Sequence, residues 1–435
     1  RGVGPIISTM YSLSNRILKI TAQFMPVGFS DPRTAVLEYK PAIPGYTHWI
    51  KGPETKIITP GYTAHFRVEG WDDSRDWNFR IIYGDKDDSY PPFTGTIRKN
   101  PEDKEEIVIA GFTGNRILGQ ASKTLGGAPG LWVDENIWFP HQEIVSNLKK
   151  QNIDIMFFTG DQIYQGTPSR TEREGGFPEL DFLYKWYFFC WAFRDLMNNI
   201  PSICLTDDHD VYQGNIWGRA GRHSVNGSQY GYNMDPVWVN MVQRVYTSHN
   251  PDPYDPTPVF QGISSYYTAF NYGGISFAVV EDRKFKSAPT IMGPEANIYD
   301  GRVTNPELDI ATATGPDAKL LGDRQIEFLK KWGSNWKGAK MKICVSQTAF
   351  ACVQTTPEGE MDVDTDSGGW PKIGRDKAID VLRRAHAFKI SGDQHLSFVV
   401  KHGIENYGDG TYEFCVPALA NTYRRWFDPS SPGKN

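Results

Sequence analysis

The sequence has no apolar stretch long enough to cross a membrane. Its most hydrophobic segment, 186–193, has eight residues, whereas a spanning helix needs about 20. The five cysteines are scattered and form no C-x-x-C pair, which excludes a C-x-x-C metal site and a dense disulfide framework. Lys and Arg (46) do not outnumber Asp and Glu (51), so we expect no general nucleic-acid or anionic-membrane binding.

What remains is the composition of a folded, multidomain protein. The chain has 435 residues, and 39% of them are hydrophobic. This composition excludes wholesale disorder. At roughly 100–200 residues per domain, the length predicts two to four domains, or two with long insertions.

The N-terminal region reads as all-β. Segments 17–24, 62–69 and 77–83 alternate apolar and polar residues, and Pro and Gly punctuate them, as in a small sandwich. A polar run at 98–106 is typical of a linker. We therefore predict a β-sandwich domain of immunoglobulin or fibronectin type at 1–103, followed by a second domain at 104–435.

The second region has the pattern of an α/β domain, because short apolar runs alternate with segments of helical length. Two further segments are rich in Gly, Pro, Asn and Asp and are interpreted as long loops, which are often functional. The predicted helices are 134–150, 181–198, 323–332 and 376–385, and the predicted loops are 212–262 and 286–318.

Four apolar runs end in the same manner, with a small or turn residue followed by Asp, Asn or His. Ligands of open α/β sheets bind outside the carboxyl ends of the strands. If the four runs are neighbouring strands, their ends bring six polar side chains together. These side chains are Asn115, Asp161, Asp208, His209, Asp393 and His395.

Carboxylates packed this closely would repel one another unless a cation lay between them. Oxygen and imidazole ligands together suit Ca, Mn, Fe or Zn better than Cu(I). Each motif alone has a simpler interpretation, as a helix cap or a solvated loop. Their combination predicts a metal site. The Asp-rich run 362–368 resembles the start of an EF-hand, but its glycine comes one residue late, and we interpret it as a loop near the site.

These motifs resemble the PhoD-like branch of the calcineurin-like metallophosphoesterases. The motifs of that branch correspond here to Gly160-Asp-Gln-Ile-Tyr164, Thr206-Asp-Asp-His-Asp210 and Ser391-Gly-Asp-Gln-His395. Phe277–Lys286, Leu321–Gln325 and 342–347 resemble supporting segments of the same family. The resemblance spans most of the chain.

The resemblance implies a four-layer α/β/β/α catalytic domain, preceded by the small sandwich, with two or three metal ions. It implies that Ca²⁺ is the favoured cation, and that Fe³⁺, Mn²⁺ and Zn²⁺ are alternatives. The family usually has a cysteine where this chain has Asn115, and replacing a soft thiolate by an amide weakens the case for iron.

The resemblance also implies a role for each site residue. The metal ligands would be Asn115, Asp161, Tyr164, Asp208, Asp393 and His395. His209 would hydrogen-bond the substrate phosphate or act as general acid, and Asp207 would be a second catalytic residue. Arg116, Asn215 and Arg283 would contact the substrate or lie near the metals.

The function that follows is a metal-dependent phosphoester hydrolase, a phosphomonoesterase or phosphodiesterase in which a metal-bound hydroxide attacks phosphorus in line. The partner would be a small-molecule phosphoester, and the resemblance places the protein in the periplasm or outside the cell. Two other functions stay open. One is a non-catalytic surface or binding protein on this scaffold, and the other is a metal-dependent hydrolase or lyase acting on a non-phosphate substrate.

Overall fold

The computed structural model describes residues 4–84, 90–117, 139, 141–171, 177–215, 231–421, 423 and 425–429. Strands of the N-terminal region are β1 (Ile6–Ser14), β2 (Ile17–Phe24), β3 (Thr34–Pro41), β4 (Ile50–Ile58), β5 (Thr63–Glu69), β6 (Trp77–Tyr83) and β7 (Phe93–Ile97). The following strands are β8 (Ile109–Asn115), β9 (Ile155–Phe158), β10 (Ser202–Cys204), β11 (Thr268–Tyr272), β12 (Ile275–Val279), β13 (Ile298–Tyr299), β14 (Arg302–Val303), β15 (Met341–Thr348), β16 (Phe388–Gly392), β17 (Phe398–Lys401), β18 (Tyr412–Cys415) and β19 (Ala418–Ala420). The helices are α1 (Gln142–Leu148), α2 (Pro178–Met197), α3 (Pro236–Thr247), α4 (Ile310–Ala313), α5 (Gly322–Ser334) and α6 (Lys372–Arg384).

The N-terminal strands form one antiparallel sheet in the order β1-β2-β5-β4-β3-β6-β7. Strand β4 pairs with β3 along most of its length and with β5 at its end, so it links the two halves of the sheet. Apolar residues of both halves, such as Leu18, Phe66, Leu37 and Phe79, share one buried cluster. The predicted all-β region is therefore confirmed, and β2, β5 and β6 coincide with the three alternating segments to within one residue.

Two further sheets form the centre of the α/β region. One has the order β10-β9-β8-β19 and is parallel throughout. The other has the order β11-β12-β15-β16-β18-β17, with a parallel centre and antiparallel edges. Three of the four predicted strand ends thus lie side by side in one sheet. The fourth, at the end of β16, belongs to the facing sheet, which corrects the expectation that all four are neighbours.

Alternation along the strands explains the four layers, because successive side chains point to opposite faces. Ile155 and Phe157 of β9 face the other sheet, where Phe157 and Phe277 pack with ring centroids 5.2 Å apart. Met156 and Phe158 point outward against α2 and α3. In the second sheet, Ala278 and Cys344 likewise point outward, into a cluster with α5 and α6. This is the predicted α/β/β/α arrangement.

The segment interpreted as a loop at 212–262 contains α3, so that interpretation was wrong in part. The helix begins at Asp235-Pro236, where the Asp235 side chain accepts a hydrogen bond from the Val237 N–H at 2.9 Å. This is an N-cap with proline in the first turn. Of the helix predicted at 134–150, α1 occupies Gln142–Leu148, and residues 134–138 and 140 lie outside the described ranges.

The N-terminal sheet packs closely on the α/β region. Buried residues of both regions share two apolar clusters. The Trp186 indole N–H donates to Gln23 Oε1 at 2.9 Å, and the Tyr187 hydroxyl donates to the carbonyl of Phe24 at 2.7 Å. The boundary near residue 103 stays a prediction, and it falls in the segment between β7 and β8.

Candidate active site

The ends of β8, β9, β10 and β16 surround one cavity of about 350 Å³. Side chains from the predicted motifs lie on its wall, together with residues of later loops. The wall consists of Arg116, Asp161, Tyr164, Gln165, Gly166, Thr167, Asp208, His209, Gly214, Asn215, Asp300, Arg302, Asp364, Asp366, Asp393, His395, Asn421, Tyr423 and Arg425. Most of these side chains are charged or polar, as expected for an ionic ligand.

Unusual backbone conformations turn the chain at these strand ends. Asp161, Asp393 and His395 have φ angles of 59°, 65° and 57°, in the left-handed region that non-glycine residues seldom adopt. The two glycines before the aspartates allow close approach. A Cβ at Gly160 would lie 2.3 Å from Asp207 Cβ, and one at Gly392 would lie 2.3 Å from Thr159 Oγ1. Strain of this kind is typical of functional sites.

Hydrogen bonds join the end of β9 to the ends of β16 and β19. The Tyr164 hydroxyl donates to Asp161 Oδ2 at 2.7 Å and lies 3.2 Å from His395 Nε2. The Asn421 side chain donates to the Tyr164 hydroxyl, also at 2.7 Å. Burial and the neighbouring carboxylate of Asp161 raise the pKa of Tyr164 well above its usual value, so the phenol keeps its proton in this arrangement.

His209 is oriented by Gln165. Its Nδ1 lies 2.7 Å from Gln165 Oε1, and because that oxygen only accepts, Nδ1 carries the proton. The Nε2 atom has no hydrogen-bond partner among the described residues, and His209 lies on the cavity wall. Burial lowers the pKa of His209, although Asp208 and Asp393 oppose this effect.

The donor set fits a metal ion. Two groups have ligand atoms within 4.8 Å of one another: Asp161 with Asp208 and His209, and Asp207 with Asp208 and Asp393. Asp161 Oδ1 and Asn115 Oδ1 are buried acceptors without a hydrogen-bond partner. Burial, followed by the charges of Asp208 and Asp207, raises the pKa of Asp161 well above its usual value. A bound cation would remove both costs.

Arg283 lies among the carboxylates rather than on the cavity wall. Its guanidinium contacts Asp207, Asp208, Asp366 and Asp393, and its side chain has no exposed surface. Arg283 is not among the residues that line the cavity, and its role beside the metals or the substrate stays a prediction.

The other predicted residues separate into two sets. Tyr164, Arg116 and Asn215 line the cavity with Asp161, Asp208 and Asp393. Asn115 and Asp207 are buried behind the wall, at 1% and 0% exposure. Asp207 accepts from the backbone N–H of Asp208 at 2.9 Å and contacts Arg283. Asp207 is not among the residues that line the cavity, and its catalytic role stays a prediction.

Sequence reasoning missed the contributions of later loops, namely Gln165, Asp300, Arg302, Asp364, Asp366, Asn421, Tyr423 and Arg425. The EF-hand-like run was the available signal, since Asp364 and Asp366 come from it. Its carboxylates contact arginines. Arg425 contacts Asp364, and Arg302 lies 3.1 Å from Asp362.

Comparisons with known proteins agree with this geometry. The sequence profile described as PhoD-like phosphatase matches residues 135–425, about two thirds of the chain. The chain belongs to the PhoD-like phosphatase family. Membership makes it a metal-dependent phosphoester hydrolase, as the motifs predicted.

Solved structures show the same fold. A structure described as PhoD is 15% identical, covers 97% of this chain and 78% of its own, and superposes with a TM-score of 0.67. Purple acid phosphatase PPD1 from yellow lupin (Lupinus luteus) seeds is 13% identical, covers 98% of this chain and 66% of its own, and gives a TM-score of 0.57. No curated protein sequence matches the chain. Within the described ranges, none of the helices has the length and apolar character that a membrane span needs.

Proposed function

We propose that phosphoester hydrolysis takes place in the cavity at the ends of β8, β9, β10 and β16. The observation that carries the proposal is the convergence of Asp161, Asp208 and His209, whose ligand atoms lie within 4.8 Å of one another on the cavity wall. A phosphoester bound there would have carboxylates for metal binding and an imidazole for proton transfer within reach of the same phosphorus.

Asp161 is the proposed principal metal ligand, supported by Asp208, Asp393, Asn115 and His395. When bound, metal ions supply charge neutralisation of the phosphoryl oxygens and activation of water. Carboxylate and amide oxygens predominate in this set, which favours Ca²⁺ or Mn²⁺. Tyr164, whose hydroxyl lies 2.7 Å from Asp161 Oδ2, is a further proposed ligand beside Asp161.

His209 is the proposed proton-transfer residue, acting through Nε2. Its Nδ1–H is committed to Gln165 at 2.7 Å, so Nε2 is the atom that exchanges a proton with the leaving oxygen. Gln165 thereby fixes both the ring orientation and the tautomer. Donation requires the protonated ring; burial lowers the pKa of His209, and the charges of Asp208 and Asp393 oppose this effect.

Arg116 is the proposed phosphate contact. It lies on the cavity wall at the end of β8, and none of the ion pairs among the described residues involves it. Arg302 and Arg425, by contrast, are already bound to aspartates. Asn215 donates to Asp300 Oδ1 at 2.7 Å, which leaves its amide oxygen for a ligand. We further propose a small-molecule substrate and, by family resemblance, export from the cytoplasm.

The test compares Asp161→Asn with Asp317→Asn, an exposed aspartate outside the cavity. Hydrolysis of an aryl phosphomonoester and an aryl phosphodiester is measured with added Ca²⁺ or Mn²⁺. We expect Asp161→Asn to lose at least about 10³-fold in kcat/KM, the scale of a lost electrostatic contact in a catalytic site, and Asp317→Asn to retain full activity. Equal activity of wild type and Asp161→Asn would reject the proposal. A wild-type protein inactive on every phosphoester would favour the non-catalytic alternative.

A further inference from the structure

Arg283 holds the position between carboxylates where a second cation would otherwise lie. We propose that its guanidinium acts as a built-in cation, so that this site binds one divalent metal ion tightly, on the Asp161 side, in place of the two or three that the family resemblance implies. This inference rests on the proposed function, and it concerns how many metal ions perform it.

The contacts of the guanidinium fill one of the two candidate metal groups. Nε lies 3.0 Å from Asp207 Oδ1, Nη2 lies 2.8 Å from Asp208 Oδ2, and Nη1 lies 2.9 Å from Asp393 Oδ2. These three aspartates are the members of the second group of converging ligand atoms. The planar fork of an arginine suits several carboxylates at once, and Nη1 donates a hydrogen bond to Asp393 Oδ2.

A fourth carboxylate and neighbouring hydrogen bonds hold the Arg283 guanidinium in place. Asp366 accepts two hydrogen bonds from Nη2, both at 2.8 Å. The Asp366 N–H donates to Asp364 Oδ1 at 2.9 Å, and the Lys286 ammonium donates to the Asp366 carbonyl. The backbone N–H of Arg283 donates to Glu281 Oε1 at 2.9 Å. With no exposed surface, the guanidinium has no open path away from the carboxylates.

Asp161 itself differs from these aspartates, although Asp208 belongs to both groups of converging ligand atoms. None of the ion pairs among the described residues involves Asp161, and its Oδ1 is buried without a hydrogen-bond partner. Asn115 Oδ1 is a second buried acceptor in the same state, and Asn115 N–H donates to the Asp161 carbonyl at 2.7 Å. Only the side-chain hydroxyl of Tyr164 satisfies the Asp161 carboxylate. Asp161 Oδ1 and Asn115 Oδ1 are therefore the oxygen atoms that a cation would bind here.

Charge repulsion opposes a second metal ion beside Arg283 in addition to one bound to Asp161. A divalent cation among Asp207, Asp208 and Asp393 would have to share these carboxylates with a permanently charged guanidinium. Like charges at this separation repel strongly in a buried site. Asp161, by contrast, forms no ion pair with any described Lys or Arg, so a divalent ion bound to it would not share this carboxylate with a cationic side chain.

The experiment counts bound metal rather than turnover. Protein purified without chelator is dialysed against Mn²⁺, freed of loose ion by gel filtration, and analysed for metal per chain; calorimetric titration with Mn²⁺ gives the number of tight sites. We expect about one equivalent for the wild type and for Arg283→Lys, which keeps the charge. We expect about two for Arg283→Gln, which frees Asp207, Asp208 and Asp393. Arg302→Gln, an arginine of the same cavity outside this cluster, should remain at one.

Two or more tight equivalents in the wild type would overturn the inference, whatever the activity. If Arg283→Gln folds only with added metal, its melting temperature should rise with Mn²⁺ by more than that of the wild type, and an equal rise in both proteins would contradict the inference. Metal count and hydrolysis are separate readouts. An active protein with two tight ions rejects only this inference, whereas an inactive protein with one ion rejects only the proposed function.

Discussion

The carboxylate of Asp210 accepts a hydrogen bond from the backbone N–H of Asp161 at 2.8 Å. The same carboxylate accepts from the N–H groups of Asp207 at 2.8 Å and Ile163 at 3.2 Å, and from the Tyr246 hydroxyl at 3.1 Å. Asp210 thus ties the loop after β9 to the loop after β10. Burial raises its pKa to about 7, although these donors act to lower it.

We expect Asp210→Ala to misplace Asp161 and to lower metal content and kcat/KM together. Three backbone N–H groups would lose their acceptor in a buried place, and each unsatisfied group costs about 1–3 kcal/mol. Thermal unfolding and elemental analysis measure the two effects. Tyr246→Phe removes one donor and leaves the backbone bonds intact, so it should cost only about 1 kcal/mol. If both variants behaved alike, Asp210 would not be what holds the two loops together.

The sequence was sufficient to predict which side chains come together at one cavity, because its core motifs are local. An apolar run followed by Gly-Asp or Asp-Asp-His shows both a buried strand and the polar group at its end, and parallel strands end at one edge. Asp161, Asp208 and Asp393 were predicted in this way, and all three line the cavity. That β16 belongs to the facing sheet could not be predicted, because no local sequence pattern indicates which sheet a strand joins.

The residues that sequence reasoning missed depend on tertiary placement. Gln165 and Asn421 are polar residues without a motif, and they matter because folding brings them within hydrogen-bond distance of His209 and Tyr164. Arg283 was predicted to contact the substrate or lie near the metals, but its aspartate partners were not predicted. Its role depends on Asp366, which lies 83 positions away in the chain and had no reason to be paired with it.

Gly160 is a point of close approach between the loops after β9 and β10, and we expect Gly160→Ala to be severely destabilising. The added methyl group would lie 2.3 Å from Asp207 Cβ, at a φ of 132°. Overpacking of this kind costs about 1–3 kcal/mol or more, in addition to about 1–3 kcal/mol of strain for a sparsely populated backbone conformation. Urea denaturation measures the loss in unfolding free energy.

Gly315→Ala is the matched control for this substitution. Its φ is 71° and a Cβ there would meet no atom within 4 Å, so only the strain of about 1–2 kcal/mol remains. Equal losses in the two variants would show that the approach of Gly160 to Asp207 is looser than the structure indicates.

A fully buried ion pair lies behind the second sheet. Lys389 Nζ contacts Glu413 Oε1 at 2.6 Å, and His402 Nε2 lies 2.8 Å from Glu413 Oε2. Lys389 and His402, acting against burial, hold the pKa of Glu413 well below its usual value. We expect Glu413→Gln to cost about 3–5 kcal/mol, because Lys389 is left as an unpaired buried charge.

A double-mutant cycle with Lys389→Met tests this interpretation by urea denaturation. The double variant should be more stable than Glu413→Gln alone, because it removes the orphaned charge. Strictly additive losses would mean that the two groups do not stabilise each other.

His249 makes the stability of the protein depend on pH. The residue is fully buried, and burial, with a smaller effect of Lys19, lowers its pKa to about 3. In the unfolded chain the value is about 6.5, so the unfolded state binds more protons between these limits. Stability from this group is therefore complete above pH 6.5 and is lost as the pH falls towards 3.

When the pH falls from 7 to 5, protonation of His249 in the unfolded chain should lower the unfolding free energy by about 2 kcal/mol. His249→Leu cannot take up the proton, so urea denaturation at the two pH values should show a loss smaller by about that amount. His48→Asn, at an exposed position, should lose as much unfolding free energy between the two pH values as the wild type. If wild type and His249→Leu lost the same free energy on acidification, the acid sensitivity would have to come from other groups, and the neutral state of buried His249 would not contribute to it.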